Sequence, residues 1–218
     1  LFSPDVRAPT LLGVGEDDPA LNRLLDGLTR PRYLSIGTRD GLRRLRDGVP
    51  DVAVAAGPTR REVESTRLGG WTREWGLIAP GDNPEEITGL GDLVDRDLRL
   101  INRESTSGLR RSLDQAMATL AEQRDQSQRE LSQAVDGYEL TVKAHESPAR
   151  NVAAGTVDAG LGLRATAEQL ELGFVPLGEQ DVDVLVAPER RAKDGVEELT
   201  AALDTLDAVL GELPGFSQ

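Results

Sequence analysis

Hydroxyl side chains stand directly before a predicted helix near the middle of the chain. Residues 98–114 predict a buried strand, a polar turn and a helix that begins after Ser105, Thr106 and Ser107. Such a helix start leaves several backbone N–H groups without intrahelical partners, and the positive end of the helix dipole points the same way. The turn could therefore bind a small anion without a lysine, or its hydroxyl groups could only cap the helix.

Three further predicted strand-to-helix turns carry small or polar residues at the helix start. They contain Gly15 and Glu16, Gly37 and Thr38, and His145, respectively. Ligands of open parallel sheets bind beyond the carboxyl ends of the strands, so we expect these helix starts to converge on one cleft between two lobes. Each helix end would contribute only roughly 0.3–2 kcal/mol to anion binding, so convergence rather than any single cap would make the site.

The composition excludes several classes of function. The 218 residues include no cysteine, which excludes disulfides, thiolate metal sites and cysteine nucleophiles. The single histidine, His145, excludes multi-histidine metal sites and leaves little material for a serine–histidine triad. A net charge of −13 argues against direct nucleic-acid contact by this segment, because phosphate contacts need basic patches. We therefore expect a binding protein rather than an enzyme, with no metal and no cofactor.

The surface chemistry suggests a salt-adapted source. Acidic residues outnumber basic ones by 38 to 25, and the only lysines are Lys143 and Lys193. A dense carboxylate surface stays hydrated at high salt, so the composition favours a halophilic protein. No apolar run reaches the length of a membrane helix and no signal peptide is visible, so no membrane contact is expected. The chain begins at Leu1 rather than Met, so its start carries no information on what precedes it.

Short apolar strands alternate with helices in the first third of the chain, which predicts right-handed βαβ units on a parallel sheet. Strands are predicted over 10–14, 33–36 and 51–56, and helices over 19–28 and 41–47. Asp18 suits the N-cap of the first helix, and Pro19 suits its first position. Thr38 could cap the second helix instead of binding a ligand.

The remaining two thirds predict a second α/β lobe and a return to the first. Strands are expected over 60–68, 159–163, 172–177 and 182–187. Helices are expected over 110–135, from 148 after a Ser147 cap, and over 196–213. Within 110–135, the polar residues 122–130 are either a solvated face or a break between two helices. The turn cluster at 80–84 predicts one crossing between lobes. The expected organisation is one lobe of residues 1–79 plus 180–218 and another of 80–179.

Five segments, in order, make a resemblance to a known family specific. They are LLGVGEDDPALNRLLDGL, IGTRDGLRRLRDGVPDVAVA, GLIAPGDNPEEITGLGDL, RLINRESTSGLRRSLD and VDGYELTVKAHESPARNVAAGTVDAGLGLRATAEQLELGFVPL. With these, the chain resembles the PBP-like domain family, a branch of the type 2 periplasmic-binding-protein superfamily related to molybdate-binding proteins. The resemblance covers most of residues 10–187. It implies two α/β lobes, each a mostly parallel sheet flanked by helices, with a ligand cleft between them.

The resemblance also suggests which residues face the ligand. The family's glycine–serine helix start corresponds to Ser107 and Gly108, its second-loop pair to Gly37 and Thr38, and the histidine before its fourth helix to His145. Other matching positions are Asn102, Arg103, Arg110, Asp114 and Asp158.

The first loop departs from the family pattern. Glu16 and Asp17 stand where the family usually has a small or hydroxyl residue and a histidine, and Thr106 replaces a glycine. The two carboxylates would repel an oxyanion unless they point away or pair with Arg39, Arg103 or Arg110.

The resemblance implies a cytoplasmic sensing domain for a small oxyanion such as molybdate or tungstate. Such a domain would belong to a transcriptional regulator, with an N-terminal DNA-binding domain outside this chain, or to a molybdenum-cofactor-related protein. The alternative is an extracytoplasmic, membrane-anchored solute-binding component of an ABC transporter. The candidate ligand-binding residues are Gly15, Glu16, Gly37, Thr38, Ser105, Thr106, Ser107, Arg110 and His145.

Overall fold

The computed structural model describes residues 7–57 and 64–218 of the chain. Strands β1 to β9 are Leu11–Gly15, Pro31–Ser35, Val52–Ala56, Thr66–Ala79, Leu100–Arg103, Thr141–Val142, Ala159–Leu163, Gly173–Val186 and Phe216–Ser217. Helices α1 to α9 are Pro19–Asp26, Gly37–Arg46, Leu90–Asp95, Gly108–Gln123, Gln128–Ala134, Ser147–Ala153, Arg164–Gln169, Asp194–Leu203 and Leu206–Leu210.

The strands of the described residues form one mixed sheet in the order β2-β1-β3-β8-β4-β7-β5-β6, with β9 paired to β4. At one end β1 is parallel to β2 and β3, and at the other end β5 is parallel to β6 and β7. Between these parallel groups, the long strands β4 and β8 pair antiparallel along their lengths. Each parallel group is thus the sheet of one lobe, and β4 and β8 run through both lobes.

Each lobe has its own hydrophobic core. The first lobe, built on β1–β3 with α1, α2, α8 and α9, has a core that includes Leu11, Val54 and Leu199. The second lobe, built on β5–β7 with α3–α6, has a core that includes Leu100 and Leu113. The predicted α/β, two-lobed fold class is confirmed. The exact lobe boundaries at residues 80 and 180 stay a prediction.

Local sequence explains the elements that were predicted well. All five residues of β3, VAVAA, are buried, as expected of a short apolar strand covered on both faces. Asp18 caps α1 by accepting hydrogen bonds from Ala20 N and Leu21 N, at 2.8 and 3.1 Å. Ser107 caps α4 by accepting from Leu109 N at 3.2 Å. Of the two alternatives for 122–130, the structure shows the break, which lies between α4 and α5.

Other element boundaries were predicted wrongly. Helix α2 begins at Gly37 rather than at residue 41, so Thr38 lies inside the helix and does not cap it. Ser147 likewise lies inside α6, with Glu146 at the N-cap position. The terminal helix predicted over 196–213 is two helices, α8 and α9. Of the edge strand predicted over 60–68, residues 60–63 lie outside the described residues and 66–68 belong to β4.

The two strands predicted over 172–177 and 182–187 are one continuous strand, β8. In the sequence, polar residues separate the two predicted segments. In the structure Gln180 pairs with Arg73, and Asp181 pairs with Thr72, in the antiparallel register with β4. The backbone hydrogen bonds of this ladder keep the strand extended through its polar residues.

Candidate functional site

A buried carboxylate, that of Glu16, lies where the two lobes meet. The residue is 1% exposed and follows β1 directly. Its Oε1 accepts hydrogen bonds from Thr38 N at 2.9 Å and Thr38 Oγ1 at 2.8 Å, at the start of α2 in the first lobe. The same oxygen accepts from Gly108 N at 2.5 Å, at the start of α4 in the second lobe. One oxygen position is therefore bound by helix N-termini from both lobes, and such N-termini favour negative charge.

A fully buried arginine in β4, Arg73, stands behind this carboxylate. Its Nη1 donates to Asp18 Oδ2 at 2.7 Å, and its Nη2 lies 3.6 Å from Glu16 Oε2. The Nε and Nη2 atoms also donate to Gln180 Oε1, at 3.0 and 2.6 Å, and Gln180 Nε2 donates to Ser112 Oγ at 2.7 Å. Arg73 thus connects the carboxylates of the cleft to Gln180 in β8 and, through Gln180, to Ser112 in α4.

Sequence reasoning missed Arg73 as a partner of the first-loop carboxylates. The expected partners of Glu16 and Asp17 were Arg39, Arg103 and Arg110. The usable signal was a single arginine in an otherwise well-buried stretch of β4, WTREWGLIA, because a buried arginine needs a carboxylate partner. The sequence does not reveal which carboxylate that is, since Asp18 and Arg73 are 55 positions apart.

A second contact between the lobes joins Asp17 to His145. The backbone N–H of His145 donates to Asp17 Oδ2 at 3.0 Å, and His145 Nδ1 lies 3.0 Å from the same oxygen. Burial by itself would raise the pKa of Asp17, but the hydrogen bonds and charge of His145, with the charge of Arg103, lower it from 3.8 to about 2. Asp17 is therefore held ionised across the cleft.

One side-chain nitrogen of the buried residue Arg103 donates no hydrogen bond within the described residues. The residue is 3% exposed, and its Nη2 donates to Lys143 O at 2.5 Å. Its Nε has no hydrogen-bond acceptor among residues 7–57 and 64–218. Burial lowers the pKa of Arg103, and the charges of Glu16 and Asp17 oppose that shift. A buried donor without an acceptor costs free energy. The position of Arg103 Nε therefore favours a site at which an anionic or polar ligand accepts a hydrogen bond from this guanidinium.

A small cavity of about 30 Å³ remains in the cleft, large enough for about one water molecule. Its walls are formed by Glu16, Asp17, Ser35, Ile36, Gly37, Arg103, Glu104, Thr106, Ser107 and Lys143.

Most of the predicted ligand-binding residues come together around Glu16. Gly15 immediately precedes it with a φ of +131°, and an added Cβ there would lie 2.0 Å from Val54 O. Gly37 has a φ of +79°, and an added Cβ would lie 2.4 Å from Thr106 O in the other lobe. Both positions therefore require glycine. Ser107 Oγ lies 3.5 Å from Glu16 Oε2.

Two of the predicted residues lie apart from this group. Ser105 is exposed. Arg110 pairs with Asp114 at 2.9 Å and with Glu139 at 3.1 Å, and its guanidinium lies 4.6 Å from the centre of the Tyr138 ring.

The four helix starts do not all meet at one point. The free N–H groups of α1 are bound by its own cap, Asp18. The turn before α6 reaches the cleft through His145, which contacts Asp17 rather than Glu16. Only α2 and α4 among the described helices donate to the Glu16 carboxylate.

A larger cavity of about 390 Å³ lies between α4 and residues 177–181 of β8. Ser112 and Gln180 of the buried network reach its wall, which also carries the acidic residues Glu179 and Asp181. No lysine or arginine of the described residues lines it. It is therefore less suited to an anion than the cleft, despite its greater volume.

A family model described as "PBP superfamily domain" matches residues 21–204, and the chain belongs to this family. The uncharacterized protein YvgK of Bacillus subtilis (strain 168) is 34% identical over 114 residues, which is 52% of this chain and 34% of that protein. The chain thus spans about a third of the length of the curated relative that it matches.

Solved structures with the same fold are more distant in sequence. A structure described as a phosphate ABC transporter substrate-binding protein with bound phosphate, from Clostridium perfringens, is 11% identical, with a TM-score of 0.69 over 95% of this chain and 98% of that one. The sulfate-bound regulatory domain of a Vibrio vulnificus OxyR2 mutant is 15% identical, with a TM-score of 0.61 over 94% and 99%. These similarities confirm the type 2 periplasmic-binding-protein fold. Within the described part of the chain, no helix combines the length and apolarity needed to cross a membrane.

Proposed function

We propose that this member of the PBP superfamily binds a small oxyanion in its cleft and serves as the sensing domain of a larger protein. The observation that carries the proposal is the convergence of Thr38 N and Gly108 N, from opposite lobes, on one oxygen position. An anion at this position would be bound only when the lobes are closed, which is how a two-lobed protein couples binding to a change of shape. Phosphate and sulfate are bound by two proteins that share the fold.

The donors around this position match a tetrahedral oxyanion. Besides the two N–H groups, the hydroxyl groups of Thr38 and Ser107 face the Glu16 carboxylate. Thr38 Oγ1 lies 2.8 Å from Oε1, and Ser107 Oγ lies 3.5 Å from Oε2. Arg73 and Arg103 supply positive charge, and Arg103 Nε has no acceptor among the described residues. Hydrogen bonds from such donors to a charged acceptor are each stabilising by roughly 1.5–3 kcal/mol. Molybdate and tungstate are our first candidates within this class.

For the whole protein we propose a role in cytoplasmic sensing, either as a transcriptional regulator with an N-terminal DNA-binding domain or as a molybdenum-cofactor-related protein. The greater length of the curated relative supports a domain that works within a longer protein. The full-length sequence tests this point directly. An upstream helix-turn-helix would support regulation, and a signal peptide with a lipobox cysteine would instead favour the solute-binding component of a transporter.

Titration calorimetry with molybdate, tungstate, phosphate and sulfate tests the binding proposal. We expect Ser107→Ala to weaken oxyanion binding by roughly 1–2 kcal/mol, or about 5- to 30-fold in Kd. Thr38→Ala should weaken binding by a similar amount, but Thr38 Oγ1 also accepts from Ala56 N at 2.8 Å, so this variant should lose folding stability as well. Ser107 caps α4, so Ser107→Ala should cost stability as well, and both variants need a control for lost stability.

Ser127→Ala is the matched control. Ser127 caps α5 away from the cleft, so its loss should cost stability as Ser107→Ala does but leave anion binding unchanged. Absence of heat and of a melting shift with all four anions, in the wild-type chain and in a Glu16→Ala variant that empties the position, would reject the proposal.

A further inference from the structure

The position proposed for the oxyanion already holds a carboxylate that belongs to the chain. Glu16 Oε1 takes the hydrogen bonds of Thr38 N and Gly108 N, and Oε2 faces Ser107 and Arg73. The donors come from both lobes, whereas the carboxylate comes from the first lobe alone. Glu16 therefore links the lobes in the way that a bound anion would.

Neutralisation of Arg73 does not explain this arrangement. The nearer partner of Arg73 is Asp18, at 2.7 Å, compared with 3.6 Å to Glu16 Oε2. The shortest contacts of Glu16 are instead those with the starts of α2 and α4. Arg103 Nε still has no acceptor among the described residues, so the surroundings retain donor capacity beyond what Glu16 uses.

The carboxylate and an external anion cannot occupy the cleft together. The free volume beside Glu16 is only about 30 Å³, roughly the volume of one water molecule. Burial raises the pKa of Tyr33 well above 10, the charges of Glu16, Asp18 and Asp17 add to this shift, and the charge of Arg73 opposes it. A second anion would thus meet both a lack of space and like-charge repulsion.

We propose that Glu16 is an internal ligand, whose carboxylate occupies the anion position and holds the lobes closed when no external anion is bound. An oxyanion then binds only by displacing this carboxylate. This inference rests on the proposed function, whose site it shares, and adds a built-in competitor to it. The affinity of the chain for anions is set by how readily Glu16 leaves its position.

Binding by Glu16→Ala, compared with the wild-type chain, is the first test. If Glu16 occupies the position more than about 90% of the time, the apparent affinity is reduced at least about tenfold, because it scales with the competent fraction. We therefore expect Glu16→Ala to bind molybdate or phosphate at least about tenfold more tightly in calorimetry. Glu104→Ala is the matched control, since it removes the same charge from the wall of the same cavity without emptying the position.

Lobe closure, measured by small-angle X-ray scattering, is the second test. The wild-type chain should have the same radius of gyration with and without molybdate. Glu16→Ala should be more extended without an anion and should return to the wild-type radius when molybdate, phosphate or acetate is added. If Glu16→Ala does not fold, the isosteric Glu16→Gln, which keeps one acceptor oxygen but lacks the charge, is used in the same two measurements, with tighter anion binding than wild type expected.

The outcomes separate the two proposals. Equal anion affinity in wild type, Glu16→Ala and Glu104→Ala would overturn the internal-ligand inference and leave the proposed function intact. A closed Glu16→Ala variant in the absence of anions would also overturn the inference. A variant that opens but binds none of the anions would support the role of Glu16 in closure and reject the proposed function.

Discussion

The contact between Asp17 and His145 predicts how acid destabilises the folded protein. In the folded state the pKa of Asp17 is about 2, compared with 3.8 for the ordinary carboxyl group. A depressed carboxyl pKa contributes stability that is fully present above the unfolded value and is lost as the pH falls toward the folded value. At 1.36 kcal/mol per pKa unit, the contribution is roughly 2 kcal/mol near neutral pH. Asp17 is 16% exposed, so solvent screening reduces this contribution little.

Asp17→Asn should remove this contribution and its pH dependence. Urea unfolding of wild type and Asp17→Asn at pH 7, 5, 4 and 3 measures both. We expect the variant to be less stable by roughly 2 kcal/mol at pH 7 and pH 5, and the difference to fall to about half by pH 3, where Asp17 is partly protonated in the unfolded chain.

Asp82→Asn is the matched control for this experiment. Asp82 is exposed and makes no hydrogen bond or ion pair among the described residues, so the same change of side chain should have almost no effect on stability. If Asp17→Asn and wild type show parallel pH dependence between pH 5 and pH 3, the account of Asp17 as a contact between the lobes is wrong.

Three further predictions concern the buried network, the contact between lobes and the acidic surface. Arg73→Met should lower the free energy of unfolding in urea by roughly 3–5 kcal/mol, because it leaves Glu16 and Asp18 buried without their cation, and a loss below about 1 kcal/mol would contradict this. Gly37→Ala should shift scattering toward a more open molecule, because its Cβ would lie 2.4 Å from Thr106 O, and an unchanged radius would show that the lobes do not rely on this approach. The melting temperature should rise with KCl, because salt screens the repulsion of a net charge of −13, and a fall would count against salt adaptation.

The sequence was informative about elements whose causes are local. The buried strand β3 follows from a continuous apolar run, and the start of α1 follows from Asp18 and Pro19. Ser107, one of the three hydroxyl residues expected at the start of α4, is its cap. These features depend on residues within a few positions of one another, so the chain order alone is enough to predict them.

Boundaries that depend on distant partners were not predictable in this way. Helix α2 begins earlier than expected because distant acceptors replace a local cap: Thr38 N donates to Glu16, 22 residues away, and Arg39 N donates to Thr106 O. Strand β8 continues through polar residues because β4 pairs with them. In both cases a tertiary hydrogen bond replaces the local signal.

The sequence by itself determined that Glu16 and Asp17 stand near helix starts and that their charges conflict with an oxyanion. Only the tertiary structure decided where the two carboxylates lie. Glu16 accepts a hydrogen bond from the start of α4, whereas Asp17 accepts one from His145 N. The physical reason is that a carboxylate is itself an oxyanion. The helix starts proposed to bind an oxyanion can therefore bind the Glu16 side chain, once folding brings it within 3 Å of their N–H groups.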